Sequence, residues 1–189
     1  MNLSLTKKEL RTIYKEKRMA LSQDEVNFLS KKILEQFILQ FNVTENQNVN
    51  IFLPIEKFKE VNTLIFIDYF FENKIRVFVP KIQNENLISV EIFPDSIFEI
   101  NKWGIKEPIS DIDANAEFDY VLTPLLYCDQ FGNRIGYGKG FYDSFFSGNY
   151  KINKKIGLNF FLPKENIVDV FEKDIPLNGL IAPSQYYKF

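Results

Sequence analysis

The segment Gly132-Asn133-Arg134-Ile135-Gly136-Tyr137-Gly138-Lys139-Gly140-Phe141-Tyr142-Asp143 concentrates residue types that handle a phosphorylated ligand. Four of the chain's eight glycines fall here. Glycine permits positive φ and close backbone approach, so successive N–H groups can converge on an anion. Arg134 and Lys139 can neutralise charge, and Asp143 can ligate Mg²⁺. An apolar helical pattern follows, and a helix N-terminus adds dipolar attraction for phosphate. The spacing is not that of a Walker A loop, because Lys139 is followed by Gly140. It is not GxGxxG either, because the glycines run GxGxG. A glycine-rich turn against a sheet would need the same glycines without a ligand; the basic residues among them favour an anion.

The absence of histidine is the sharpest exclusion. It removes Ser-His-Asp and Cys-His catalysis, HExxH zinc sites and imidazole bases. Catalysis must use carboxylates, Lys, Arg, Tyr, backbone dipoles or a hard metal with oxygen ligands. Cys128 is the only cysteine, so no internal disulfide can form; it reads as inert packing. A formal charge of -2 excludes a nucleic-acid binder held by bulk charge. Asn occurs 18 times and Ala four times, a bias that reads as mutational pressure on composition. Only Arg11, Arg18, Arg76 and Arg134 are arginines, which makes each position informative. Met1 to Glu9 lacks the apolar run of a signal peptide. The most apolar stretch, Thr63 to Phe71, is interrupted by Asp68 and too short to cross a bilayer. The expectation is a cytoplasmic monomer, one domain over residues 1–189, without membrane or nucleic-acid partners.

Two helices open the chain. Thr6-x-x-Glu9 and Ser22-x-x-Glu25 read as capping boxes. In the first helix Leu10, Ile13, Tyr14 and Leu21 recur at helical spacing. Lys7, Arg11 and Arg18 lie within about 40° of one another at ~100° per residue. The second carries Val26, Leu29, Ile33, Phe37, Ile38 and Phe41 on one face. Strands are expected at Val49–Leu53, at Lys74–Val79 (ended by Pro80), at Ser89–Phe93, at Tyr120–Thr123, at Lys155–Asn159 and at Gly179–Ala182. Helices are expected at Asn62–Glu72 and Gly140–Phe146. The alternation predicts a three-layer α/β/α fold with a mainly parallel, Rossmann-like sheet. Ligands in such folds sit beyond the carboxyl ends of strands, here after Leu53, Val79 and Thr123.

The run R-I-G-Y-G-K-G-F-Y-D closely resembles the R-x-G-x-G-x-G-[FY]-Y-D signature of the 5-formyltetrahydrofolate cyclo-ligase family. Four further segments are similar to that family: Lys7-x-x-x-Arg11, Leu53-Pro54 with Glu60 to Thr63, Trp103-Gly-Ile-x-Glu107-Pro108, and Asp174-x-x-Leu177-Asn178. The resemblance implies that ATP with Mg²⁺ phosphorylates the formyl oxygen of 5-formyltetrahydrofolate. N10 then closes the ring to 5,10-methenyltetrahydrofolate, with release of ADP and phosphate. It implies ATP contacts at Lys7, Arg11, Arg134, Ile135, Gly136, Tyr137, Gly138, Lys139, Gly140, Phe141 and Tyr142. Catalytic roles fall to Lys139, Arg134 and Tyr142. Folate contacts fall to Leu53, Glu60, Trp103 and Tyr137, with Glu56 as the alternative to Glu60. The metal ligands are Asp143 and Asp174. Asn178 stands where the family often has Asp. Other readings are a catalytically lapsed homologue that binds nucleotide or folate, and a phosphosugar isomerase-like or CoA-transferase-like α/β enzyme.

Overall fold

Both capping boxes form. Thr6 Oγ1 accepts from the Glu9 N–H while the Glu9 carboxylate accepts from the Thr6 N–H. Ser22 and Glu25 repeat the arrangement. Each box satisfies backbone donors that the first helical turn leaves open. The computed structural model describes residues 3–101 and 104–189. In chain order the elements are β1 (Ser4–Leu5), α1 (Lys7–Met19), α2 (Gln23–Gln40), β2 (Asn48–Ile51), a 3-10 turn at Glu56–Phe58, α3 (Leu64–Glu72), β3 (Arg76–Gln83) and β4 (Asn86–Ile92). They continue with β5 (Phe98–Ile100), β6 (Lys106–Pro108), β7 (Phe118–Pro124), β8 (Tyr127–Cys128), β9 (Arg134–Ile135), α4 (Phe141–Ser147), β10 (Ile152–Leu158), β11 (Asn166–Ile167), β12 (Gly179–Ile181) and β13 (Tyr186–Lys188).

Seven strands form the central sheet in the order β13-β12-β10-β7-β2-β3-β4. The five inner strands pair in parallel, and only the two edges, β3 with β4 and β12 with β13, are antiparallel. The sheet is therefore mainly parallel, as the alternation of strands and helices predicts. Strand alternation sends Val49, Ile51, Val77, Val79, Leu122, Ile156 and Leu158 to one face, where they meet Ile33 and Phe37 of α2 and Phe66 and Phe70 of α3. Phe78 and Val121 point the other way and meet Phe145 of α4. Helices thus cover both faces, which gives the three layers. Among the described residues, no helix is long and apolar enough to cross a membrane.

Some local expectations need correction. β3 does not stop at Pro80 but runs on to Gln83. Pro80 lies opposite Ser89, whose own N–H and C=O turn away from β3 to Tyr150 and Ala114. The pair needs no N–H from Pro80, and β2 has already ended beside it, so the ring costs no ladder bond. The strand also begins at Arg76 rather than Lys74, because Lys74 turns through positive φ. Ile38 is 40% exposed; one residue past the buried Phe37, it is rotated ~100° off the stripe.

Candidate functional site

The switch in strand order lies between β2 and β7, where one half of the sheet runs toward β4 and the other toward β13. The cleft at this point is lined by Phe52 beyond β2, by Pro124 and Leu125 at the end of β7, and by Asn159 and Phe160 beyond β10. Arg18 and Glu60 also line it. Val79, a third expected strand end, does not contribute, because β3 continues into its antiparallel pairing with β4.

Glu60 is buried, and Glu56 is exposed at the start of the 3-10 turn. One Glu60 oxygen accepts the Ile55 N–H at 2.8 Å and the other accepts the Tyr137 hydroxyl at 2.7 Å. Burial pushes the Glu60 carboxyl above its ordinary value, opposed by the Ile55 N–H, Arg18 and Tyr137. The Tyr137 hydroxyl in turn accepts a hydrogen bond from Arg18 Nη2. Burial, then the Glu60 charge, pushes that phenol up. Leu53 lies in the core beside Phe52. Trp103 lies outside the described residues.

The glycine loop is set by the turn before it. Asp129 is fully buried. Its Oδ1 accepts the N–H groups of Phe131 and Asn133, and its Oδ2 accepts Asn133 Nδ2. This turn joins β8 to β9 and delivers Arg134 at a defined register. Sequence reasoning missed Asp129; an Asp two residues before the Phe-Gly of a turn is the signal that was present. Asp129→Ala leaves these donors unsatisfied inside the protein. We expect a loss of about 3 kcal/mol and a melting midpoint lower by about 6–12 °C. An unchanged midpoint in thermal denaturation would remove Asp129 from this role.

Gly138 and Gly140 have φ of +90° and +72°, in the left-handed region where a side chain is strained. Nothing lies within 4 Å of where a Cβ would stand on Gly136 or Gly140, so the loop faces open space. Arg11 braces it from α1, with Nε donating to the Gly136 carbonyl at 3.0 Å. Lys139 is exposed, without a hydrogen bond or ion pair among the described residues.

Arg134 is not free in the same sense. Its Nη2 meets Asp143 Oδ1 at 2.7 Å and its Nη1 donates to the Ile175 carbonyl. Burial lowers its pKa, and Asp143 opposes that shift. The same Asp143 oxygen accepts the Ile175 N–H at 3.2 Å. The neighbouring Asp174 pairs with Lys7 Nζ and accepts the Phe171 N–H. Lys7, Asp174, Arg134 and Asp143 thus form one charge cluster beside the loop, with Asp174 also acting on Arg134. Among the described residues no hydrogen bond reaches Asp143 Oδ2 or Asp174 Oδ1. The described residues contain no group of three metal-ligating side chains. Mg²⁺ commonly takes one or two carboxylates and completes its shell with phosphate oxygens and water, so this donor set fits an ion brought in with a nucleotide.

Two further groups face the cluster. Tyr142 has a buried hydroxyl with no hydrogen-bond partner among the described residues. Burial, then Glu60, pushes its pKa up, while Arg134 pulls it down. Lys155, which sequence reasoning passed over, shares the Phe146 ring with Arg134, the two cations lying 5.7 Å and 4.8 Å from its centroid. Burial, then Arg134, lowers the Lys155 pKa. Alternation with Ile156 and Leu158 was the available signal for its face. Cys128 is buried, and burial pushes its thiol well up, which makes it a poor nucleophile.

A family model for the 5-formyltetrahydrofolate cyclo-ligase family matches residues 4–178. A 5-formyltetrahydrofolate cyclo-ligase of Escherichia coli K12 is 25% identical over 183 residues, covering 93% of this chain and 99% of that protein. One of Mycoplasma genitalium is 30% identical over 152 residues, covering 75% and 80%. The NMR structure of Aquifex aeolicus 5,10-methenyltetrahydrofolate synthetase has the same fold, with a TM-score of 0.82 over 97% of this chain and 93% of that one, at 23% identity.

Proposed function

The chain belongs to the 5-formyltetrahydrofolate cyclo-ligase family, and from that premise we propose that it converts 5-formyltetrahydrofolate to 5,10-methenyltetrahydrofolate at the expense of ATP. The observation that carries this reading is the placement of two chemistries on either side of Tyr137. On one side is a buried carboxylate in a cleft; on the other is a glycine loop that carries Lys139 and is braced by Arg11.

The formyl oxygen attacks the γ-phosphorus of ATP and ADP leaves. N10 of the same folate then attacks the formyl carbon, the carbon–oxygen bond to phosphate breaks, and N10 gives up its proton. Such transfer depends on positioning and charge neutralisation and needs no enzyme nucleophile, which suits a chain without histidine. Glu60 accepts from the donor edge of the pterin. The loop amides, Lys139, Lys7 and Arg11 hold the phosphates. The unpartnered Tyr142 hydroxyl donates to the oxygen that carries the developing charge. Arg134 orients Asp143 through Nη2 and is itself held through Nη1 by the Ile175 carbonyl. Asp143 and Asp174 would hold Mg²⁺, which when bound neutralises phosphate charge.

The test is the absorbance of the methenyl product after mixing protein, Mg-ATP and 5-formyltetrahydrofolate, with phosphate release followed in parallel. Phosphate release that ignores the folate, or no methenyl product, would overturn the reading. Within it, Arg11→Ala should raise the KM for ATP about tenfold or more, roughly the loss of one charged hydrogen bond. The KM for folate should change far less. Arg11→Lys should rescue in part, because a fork becomes a point charge. Equal effects on both substrates would make Arg11 only a brace for the loop.

A further inference from the structure

Arg18 lies on the buried stripe of α1 with Leu10 and Tyr14, not on an exposed basic face, and is 3% exposed. A buried guanidinium requires partners. Nη1 donates to the Leu125 carbonyl at 3.3 Å and Nη2 to the Tyr137 hydroxyl. Nε is buried and has no hydrogen-bond partner among the described residues. The side chain lines the same cleft as Glu60.

We infer that Arg18 is a specificity-determining residue of the proposed folate site, set beside Glu60 to donate to the 4-oxo group of the pterin. This rests on the function proposed above. The Tyr137 hydroxyl occupies a position defined on two sides: it accepts from Arg18 and donates to Glu60. A ligand that takes its place must offer an acceptor to Arg18 and, beside it, a donor to Glu60. The amide edge of a 4-oxopteridine has that order, with O4 next to N3–H and the 2-amino group. A 4-amino pteridine turns a donor toward the guanidinium instead. Tyr137 can yield the position, because the residue is 39% exposed and its ring packs against Phe58 and Arg18 near the surface. Arg18 then has both the vacated Nη2 and the unpartnered Nε to give. A site built to hydrogen-bond a polar group rejects an analogue that cannot answer it, because its own buried groups are left unpaired.

The experiment measures dissociation constants by calorimetry for 5-formyltetrahydrofolate and its 4-amino-4-deoxy counterpart, with wild-type protein and Arg18→Gln. The ratio of the two constants should shift by about tenfold or more toward the 4-amino compound in the variant, the size of one charged hydrogen bond. If Arg18→Gln does not fold, Arg18→Met is read in the same way, since it keeps an unbranched stem and removes every donor. A folded variant whose ratio moves less than about threefold overturns the assignment and leaves Arg18 as a tie between α1 and the sheet. Wild-type protein that binds neither compound overturns the proposed function and this inference with it. Wild-type binding with an unshifted ratio overturns the role of Arg18 alone.

Discussion

Lys139→Met is expected to lower kcat by on the order of 10²-fold or more and to leave stability within about 0.5 kcal/mol of wild type. The two halves of this result have one cause. Lys139 is exposed on the loop with no ion pair among the described residues, so the folded protein gains nothing from its charge. A phosphoryl group in transfer does. Its charge spreads over oxygens that the loop amides meet from one side, and the ammonium, undiverted by any internal partner, is available to meet them from the other. Methionine keeps the length and removes the charge. Steady-state kinetics with a thermal melt decide the point: near-normal kcat would remove Lys139 from the transition state, and a large fall in midpoint would make its role structural. Wild-type protein incubated with γ-labelled ATP should carry no label after denaturation, because Cys128 is buried with a raised pKa and no imidazole exists.

Asp143→Asn should be the more damaging substitution. Its carboxylate holds Arg134 at 2.7 Å and accepts the Ile175 N–H, which carries the segment bearing Asp174. Asparagine can keep one hydrogen bond but leaves the Arg134 guanidinium, 8% exposed, without its counter-charge. Removing one partner of a fully buried pair costs about 3–5 kcal/mol. Asp143 is one third exposed, so a loss of about 1–2 kcal/mol is expected here. Activity should fall further, by on the order of 10³-fold in kcat/KM, because a neutral amide is a poor ligand for a hard cation. Raising Mg²⁺ should recover part of the loss. A titration of rate against Mg²⁺ separates the effects: an unchanged half-saturating concentration would confine Asp143 to its pairing with Arg134.

Much of the architecture was legible because it rests on local chemistry. The two capping boxes start their helices where Thr6 and Ser22 predict, since the partners are three residues apart and need no tertiary contact. The parallel strands could be found because burial on both faces demands short apolar runs. The glycine loop was visible because positive φ selects glycine at positions such as 138 and 140 whatever surrounds them. The failures have local reasons too. Pro80 forbids an N–H bond, but only the position of its neighbours shows that none was needed there.

The sequence by itself determined which groups were available. It held scarce arginines, one lysine amid glycines, carboxylates at 143 and 174 and no histidine. The tertiary structure decided how they are spent. Lys7 meets Asp174 across 167 residues, Arg18 meets Tyr137 across 119, and Tyr137 meets Glu60 across 77. On a helical wheel Lys7, Arg11 and Arg18 look alike. In the fold Lys7 is paired with a carboxylate, Arg11 braces a loop, and Arg18 is buried in a cleft. Periodicity sets the direction of a side chain about its own axis. What stands opposite it depends on strand order and on which loops converge beyond the strand ends, and these are properties of the whole sheet that no local spacing encodes.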